Sequence, residues 1–449
     1  MSSLCPSETG KAELFVDPGL ASSGDYLSSD GMAVACPINT VSCGRPFPGT
    51  SVQIVGASGY VEEGWIAASI YYMDTTNLVT TAQPTQLSRV DRLRQLMGEN
   101  NVGALLVSNL ANIRYLTGFS GSAALMLVAH DIVLLTTDSR YEVQVKEETA
   151  EVASSDALEI AVSSPSMPNK QKDAIIETVR SSGINSLSME ADNITWAAQQ
   201  RWAELFAESQ LDISFVPKSG LVEQLRLIKD ESEIVLMERA ASIADDALRE
   251  SAPTLDSNPT ESQFALEVDW WMRRLGAEDR AFDTIVAAGP NGAKPHAKPS
   301  SVAIGSDDAV VVDFGAVFGG YRSDMTRTLC GGHLSGEIAR VYEIVLYAQQ
   351  AGIELLRPGV KCADIDMACR KVIEDAGYGE YFNHSTGHGV GLNVHELPVL
   401  STNSDSELQA GMVVTVEPGI YIPNVGGVRI EDMLVITSDG SRSLTSSPK

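Results

Sequence analysis

The chain has 449 residues, a length that suits two or three domains and excludes a single small module. With 44% hydrophobic and 20% charged residues it has the make-up of ordinary globular proteins, which excludes wholesale disorder. Lys and Arg total 32 against 59 Asp and Glu, a net charge of -27 whose field repels phosphate backbones and anionic lipid, so nucleic acid and membrane surfaces are not expected partners.

No run of about 18 apolar residues is present, so no membrane span is expected. The start, MSSLCPSETGKAELF, lacks a basic segment followed by an apolar one; the default expectation is the cytoplasm. The six cysteines (Cys5, Cys36, Cys43, Cys330, Cys362, Cys369) include no CxxC pair and read as free thiols rather than a disulfide framework or zinc knuckle.

Residues 1–86 are rich in Ser, Thr, Gly and Pro and close on the linker-like TTAQPTQ. They are expected to form an atypical extension, ordered only in part. Within them VSCGRPFPGTSVQIVGASGYVEEGW is similar to a short internal piece of AMP-forming acyl and fatty-acid ligases, without that family's phosphate-binding loop or catalytic lysine segment. From Leu87 a helical LSRVDRLRQLMGENN leads into strand-like VGALLVS, AALMLVA and IVLLTTD, then helical KQKDAIIETVRSSG, strand-like INSLSME and a helix holding Trp196 and Trp202. That alternation suggests an α/β layer, residues 87–220, of structural or regulatory character. The stretch LVEQLRLIKDESEIVLMERAASIADDALRE has apolar residues at helical spacing and opens a second domain, 221–449. A helix with Trp270 and Trp271 as packing residues follows Pro259, and a helical pair later interrupts a series of apolar strand-like runs.

The chemistry concentrates in those runs. AVVVDFG buries Asp313 in apolar company, where an ionised carboxylate is costly without a partner. The chain then returns as YRSDMTRT with Asp324, so a β-hairpin is expected. A two-residue turn at Phe318-Gly319 sets the aspartates directly opposite; a turn at Gly319-Gly320 sets them one pair apart diagonally, and either register leaves both on one face. MVVTVEPGIYI carries Glu417, and GGVRIEDMLVIT carries Arg429 and Glu431 together at period two. Between the hairpin and the last strands lies the Gly-rich NHSTGHGVGLNVHELP with His384, His388 and His395, while His296 sits in GPNGAKPHAKPS. Two like charges about 4 Å apart repel by roughly 4 kcal/mol at an effective dielectric near 20. Four carboxylates on apolar strands therefore call for one or two divalent cations, and oxygen-rich ligation with one imidazole favours Mn²⁺, with Co²⁺, Fe²⁺ or Zn²⁺ as alternatives.

The order Asp, Asp, His, Glu, Glu in VDFGAVFGGYRSDMTRT, STGHGVGLNVHE, VEPGIYI and GVRIED resembles the pita-bread metallopeptidases, specifically the Xaa-Pro peptidase branch of aminopeptidase P and prolidase. NIRYLTGFSGS, LRLIKDESEI and TIVAAGPNGAKPHAKPS are family-like as well. The resemblance covers residues 87–449 and implies an α+β protein with a creatinase-like N-terminal α/β domain and a C-terminal pita-bread domain of pseudo-twofold units. It implies two metal ions held by Asp313, Asp324, His388, Glu417 and Glu431, with Asp313 binding one ion through both oxygens and Asp324 and Glu431 bridging. It implies Glu417 as general base, and His296 and His395 on the substrate and tetrahedral intermediate. His384 is expected at the prolyl pocket, and Arg429 as the residue that orients the carboxylates. Hydrolysis between an N-terminal residue and a following proline, by a homodimer, is the activity implied. A metal-free creatinase-type amidinohydrolase shares the fold, but the intact set of five argues against it. A methionine aminopeptidase is weakened by the additional N-terminal domain and the segment around His296, and a non-catalytic peptide-binding module by the retained ligands.

Overall fold

The structure is a computed structural model that describes residues 86–153, 158–164 and 170–449, together with two short paired strands, β1 (Leu4–Pro6) and β2 (Ala12–Leu14). The acyl-ligase-like segment lies outside the described residues. Residues 84–449 form one compact unit.

This unit opens with α1 (Gln86–Glu99), β3 (Ala104–Val107) and α2 (Leu110–Thr117), followed by β4 (Ala124–Ala129), β5 (Val133–Asp138), α3 (Glu142–Glu148) and α4 (Ala150–Ala153). β6 (Leu158–Ser163), α5 (Lys170–Ser181), β7 (Ser186–Glu190), α6 (Trp196–Glu208) and β8 (Ser214–Lys218) complete a six-stranded mixed sheet of order β6-β5-β4-β3-β7-β8. Alternation along β3 and β4 divides the packing. Leu105, Val107, Met126 and Val128 face α1 and α2, while Ala104, Leu106, Leu127 and Ala129 face α5 and α6.

The long helical stretch after Gly220 is two helices rather than one, α7 (Leu221–Arg226) and α8 (Glu231–Ser251). The break is chemical: the Asp230 carboxylate accepts from the Glu233 N–H at 3.0 Å while Glu233 accepts from the Asp230 N–H at 3.0 Å, a capping box that starts a helix at that point. α9 (Glu261–Arg274) begins on a second such box, Thr260 with Gln263. On α9, Trp271 packs against the core, but Trp270 is 49% exposed and lies under Arg274, so it is not a core residue.

Two units of like build follow. In the first, α8 and α9 cover β10 (Ile285–Ala288), β11 (Val310–Phe314) and β14 (Met325–Leu329), after the short β9 (Asp279–Arg280) and with β12 (Ala316–Phe318) and β13 (Tyr321–Arg322) extending the hairpin. In the second, α10 (Gly336–Leu355) and α11 (Cys362–Asp375) cover β15 (Gly387–Gly389), β16 (Glu396–Leu400), β17 (Val413–Val416), β18 (Gly419–Ile422), β19 (Gly426–Arg429), β20 (Asp432–Ile436) and β21 (Ser441–Ser443). This is the α+β pita-bread architecture behind a creatinase-like layer.

Period two then sorts each strand. Val310, Val312 and Phe314 go under α8 and α9, and Val414, Val416, Val428, Ile430, Leu434 and Ile436 go under α10 and α11. Asp313, Glu417, Arg429 and Glu431 are the alternate positions, so they lie on the faces turned away from the helices. The core thus sits outside the site and the acidic residues line its interior. Among the described residues no helix is long and apolar enough to cross a membrane, and Cys330, Cys362 and Cys369 are free thiols.

Candidate active site

The hairpin turns at Gly319-Gly320, with φ of +58° and +81°, the doubly positive geometry of a type I′ turn. Of the two registers open to the sequence, this one pairs Asp313 with Thr326 and leaves Asp324 two residues along the same face. Glu417 and Glu431 stand in gaps between strands rather than inside them. Val416 pairs with Asp432 on one side of the gap and Gly419 with Arg429 on the other, a single register that puts Glu417 opposite Glu431. His388 enters from β15 between Gly387 and Gly389, which a larger residue cannot replace: a Cβ on the first would overlap the Thr415 carbonyl oxygen, and on the second the Leu397 carbonyl.

Ligand atoms of Asp324, His388 and Glu431 all lie within 4.8 Å of one another. The His388 Nε2 is 3.6 Å from Asp324 Oδ2 and 3.3 Å from Glu417 Oε1. Its Nδ1–H donates to the Gly389 carbonyl at 3.0 Å, which leaves Nε2 as a lone pair directed at carboxylates. Burial pushes the His388 imidazole down to about 4, so the ring is neutral near pH 7. Burial, compounded by the neighbouring carboxylates, pushes Asp324 and Glu431 well above the usual range; burial raises Glu417 to about 8 against the pull of Arg429. The Arg429 guanidinium donates to Asp313 Oδ2 at 2.7 Å, and Asp313 Oδ1 is buried with no hydrogen-bond partner. A lone pair and several anionic oxygens converge, one of them orphaned. A cation resolves all of these conflicts, so the residues present fit divalent metal.

Arg429 bonds the carboxylate of Asp313, the Thr326 hydroxyl at 3.0 Å, the Tyr421 hydroxyl at 2.8 Å and the Pro295 carbonyl at 3.1 Å. Its connection to Glu431 is indirect, because Thr326 Oγ1 donates to Glu431 Oε2 at 2.7 Å. Tyr421 donates to His384 Nε2 at 2.9 Å, while His384 Nδ1–H donates to the Ser385 carbonyl at 2.7 Å. Burial takes His384 down to about 4. His395 packs edge-on against His388 with ring centroids 4.4 Å apart, and both His395 and His296 are exposed on the wall of a cleft of about 1220 Å³ that also holds the five acidic and imidazole groups. All nine residues singled out in the sequence therefore share one cleft.

Thr326, Thr415 and Tyr421 were not legible in the sequence. Thr326 lies two residues from Asp324, and Thr415, whose hydroxyl is 3.3 Å from Glu417 Oε1, two residues from that glutamate. A threonine at i±2 from Asp324 and from Glu417 is the signal that could have found the two threonines, because period two puts such pairs on one face; Tyr421 has no such signal.

Comparison with known proteins places this geometry in a family. The model of metallopeptidase family M24 matches residues 235–438 and that of the creatinase/prolidase N-terminal domain residues 89–228. The uncharacterized peptidase YqhT of Bacillus subtilis is 41% identical over 361 residues, 80% of this chain and 98% of that protein. The solved structure of an Xaa-Pro dipeptidase from Bacillus anthracis superposes with a TM-score of 0.75 at 38% identity, covering 81% of this chain and 98% of that one. An X-Pro aminopeptidase from Thermotoga maritima gives a TM-score of 0.71 at 35% identity, over 80% and 98% respectively. This chain belongs to metallopeptidase family M24, with the pita-bread fold and the family's creatinase/prolidase N-terminal domain.

Proposed function

We propose that the chain hydrolyses the peptide bond between an N-terminal residue and a following proline as a divalent-metal-dependent peptidase. The observation that carries the reading is the convergence of Asp324, Glu431 and the His388 lone pair beside the orphaned Asp313 Oδ1. The names of two similar proteins, an Xaa-Pro dipeptidase and an X-Pro aminopeptidase, support the choice of bond.

Asp313, Asp324, His388, Glu417 and Glu431 would hold two ions, Mn²⁺ foremost given the oxygen-rich donors. Bound there, divalent ions supply a water acidified toward neutrality and a polarised scissile carbonyl. Glu417 accepts the proton of the attacking water and passes it to the prolyl nitrogen, which leaves as the secondary amine of the product. His395 and His296, exposed on separate segments that line the cleft, donate hydrogen bonds to the tetrahedral intermediate. Arg429 holds Asp313 and, through Thr326, Glu431 at fixed spacing. Through Tyr421 it also fixes His384, which borders the pocket for the prolyl ring.

Hydrolysis of Xaa-Pro and Xaa-Pro-Yaa peptides in Mn²⁺ tests the reading and sets the substrate length. Turnover of either, lost on chelation and restored by Mn²⁺, supports it; turnover of neither overturns it.

A further inference from the structure

Among the buried polar assemblies that the chemistry above does not use, one joins the N-terminal layer to the segment carrying His395. At the end of β7 the Glu190 carboxylate accepts from the backbone N–H groups of Ser108 at 2.6 Å and Asn109 at 2.7 Å, and from Asn112 Nδ2 at 2.6 Å. Asn112, wholly buried on α2, also donates to Glu223 at 2.6 Å, and its Oδ1 accepts from Arg226 Nη1 at 2.6 Å. Arg226 reaches on to Glu396, which Lys229 approaches to 3.3 Å and whose Oε1 also accepts the Asn393 N–H at 2.9 Å. The side chains of Arg226, Lys229 and Glu396 are 3%, 1% and 8% exposed, so water screens these pairs little. Glu396 directly follows His395, and a Cβ on Gly391 would meet the Glu396 carboxylate, so the loop from Gly391 to Glu396 closes around that one group.

Apolar side chains of equal volume would join the N-terminal layer to the catalytic sheets at least as firmly. What they lack is direction: a carboxylate held at once by Arg226, Lys229 and the Asn393 N–H is fixed in one rotamer, and with it the adjoining backbone, even though Arg226 Nε itself finds no partner. We infer that Asn112 and Arg226 are positioning residues for His395, acting through Glu396 to hold the imidazole against His388 from the N-terminal layer. None of the three is among the groups that would hold metal. The kinetic part of the inference rests on the proposed peptidase reading; a spectroscopic part does not.

The test uses the full chain with Mn²⁺, comparing Arg226→Gln and Asn112→Ala in the wild-type and His395→Ala backgrounds. Misplacement of a positioned group costs up to about 100-fold. Arg226→Gln is expected to lower kcat by about 10- to 100-fold and Asn112→Ala by about 3- to 10-fold, with KM and Mn²⁺ content near wild type. In the His395→Ala background neither substitution lowers kcat further. The ring NMR signal of His395, recorded on chelator-treated protein because paramagnetic Mn²⁺ would erase it and identified by its loss in His395→Ala, shifts in both variants while that of the exposed His130 stays. Wild-type kcat in either folded variant, an equal loss without His395, or an unmoved His395 signal overturns the inference. Should Arg226→Gln fail to fold, Asn112→Ala decides, since it leaves both charge pairs of Glu396 in place. Should the wild type hydrolyse no Xaa-Pro peptide, the peptidase reading fails separately and the His395 signal still decides.

Discussion

A hydroxyl has one proton to give, and Thr326 spends it on Glu431 while its lone pair takes the Arg429 Nε–H. Valine in its place keeps the shape and removes both bonds, leaving a buried carboxylate and guanidinium each short of a partner. Thr326→Val is expected to weaken Mn²⁺ binding by about 10- to 100-fold, the usual effect of losing a hydrogen bond behind a metal ligand; a titration with unchanged affinity would count against this role. The mutual repulsion of Asp324, Glu417 and Glu431 has a complementary consequence. Without metal it destabilises the fold, so Glu431→Gln is expected to raise the melting temperature of chelated protein while turnover disappears. A lower melting temperature in EDTA would contradict it. The carboxylates could be read from the sequence because charges in apolar strands are anomalous. Thr326, Thr415 and Tyr421 could not, because threonine and tyrosine are ordinary strand residues whose hydroxyl partners come from distant segments.

Strands set the site by what they leave out as much as by what they pair. Gly387 lets β15 lie so close to β17 that its Cα faces the Thr415 carbonyl, and His388 takes its height above the carboxylates from that approach. Gly387→Ala is expected to cost about 1–3 kcal/mol through overpacking and to weaken metal binding by displacing His388, measured by thermal melting and Mn²⁺ titration; wild-type values in both would refute the account of this approach. The sequence showed the elements where one period persists, as in β4, β5 and the hairpin of Asp313. It hid them where a local contact interrupts the period. The capping box of Asp230 and Glu233 divides a continuous apolar pattern into α7 and α8, and Glu417-Pro418 divides what reads as one strand into β17 and β18. Proline has no N–H to continue the ladder there. The polar chain from Glu190 to Glu396 was invisible for another reason: its members are scattered over more than 200 residues and only the packing of two layers assembles them.

For the molecule as a whole, acid is the informative perturbation. Burial pushes Asp230 up, but the Ser232 hydroxyl and the Arg89 guanidinium hold its carboxyl below the usual range; burial pushes Glu396 up, and Lys229 and Arg226 hold it below its usual value. A carboxyl lowered by folding adds stability above its unfolded pKa, about 4, and gives it up as pH falls through the folded value. Glu190 and Glu233, raised chiefly by burial, act in the opposite sense. Asp230→Asn keeps the helix cap but removes both the titration and the ion pair with Arg89, so it is expected to lower stability near neutral pH and to flatten its further loss below about pH 4, followed as the urea midpoint against pH; an unaltered slope would show that Arg89 and Asp230 contribute nothing to it. The two layered units bring strands far apart in sequence to one cleft, and the claim on which everything rests is that this cleft holds metal. Calorimetric titration of Mn²⁺ into chelator-treated protein measures it directly: two equivalents bound by the wild type and none retained by folded Glu431→Ala is the predicted result, and undiminished binding by that variant, or no binding by the wild type, would contradict it.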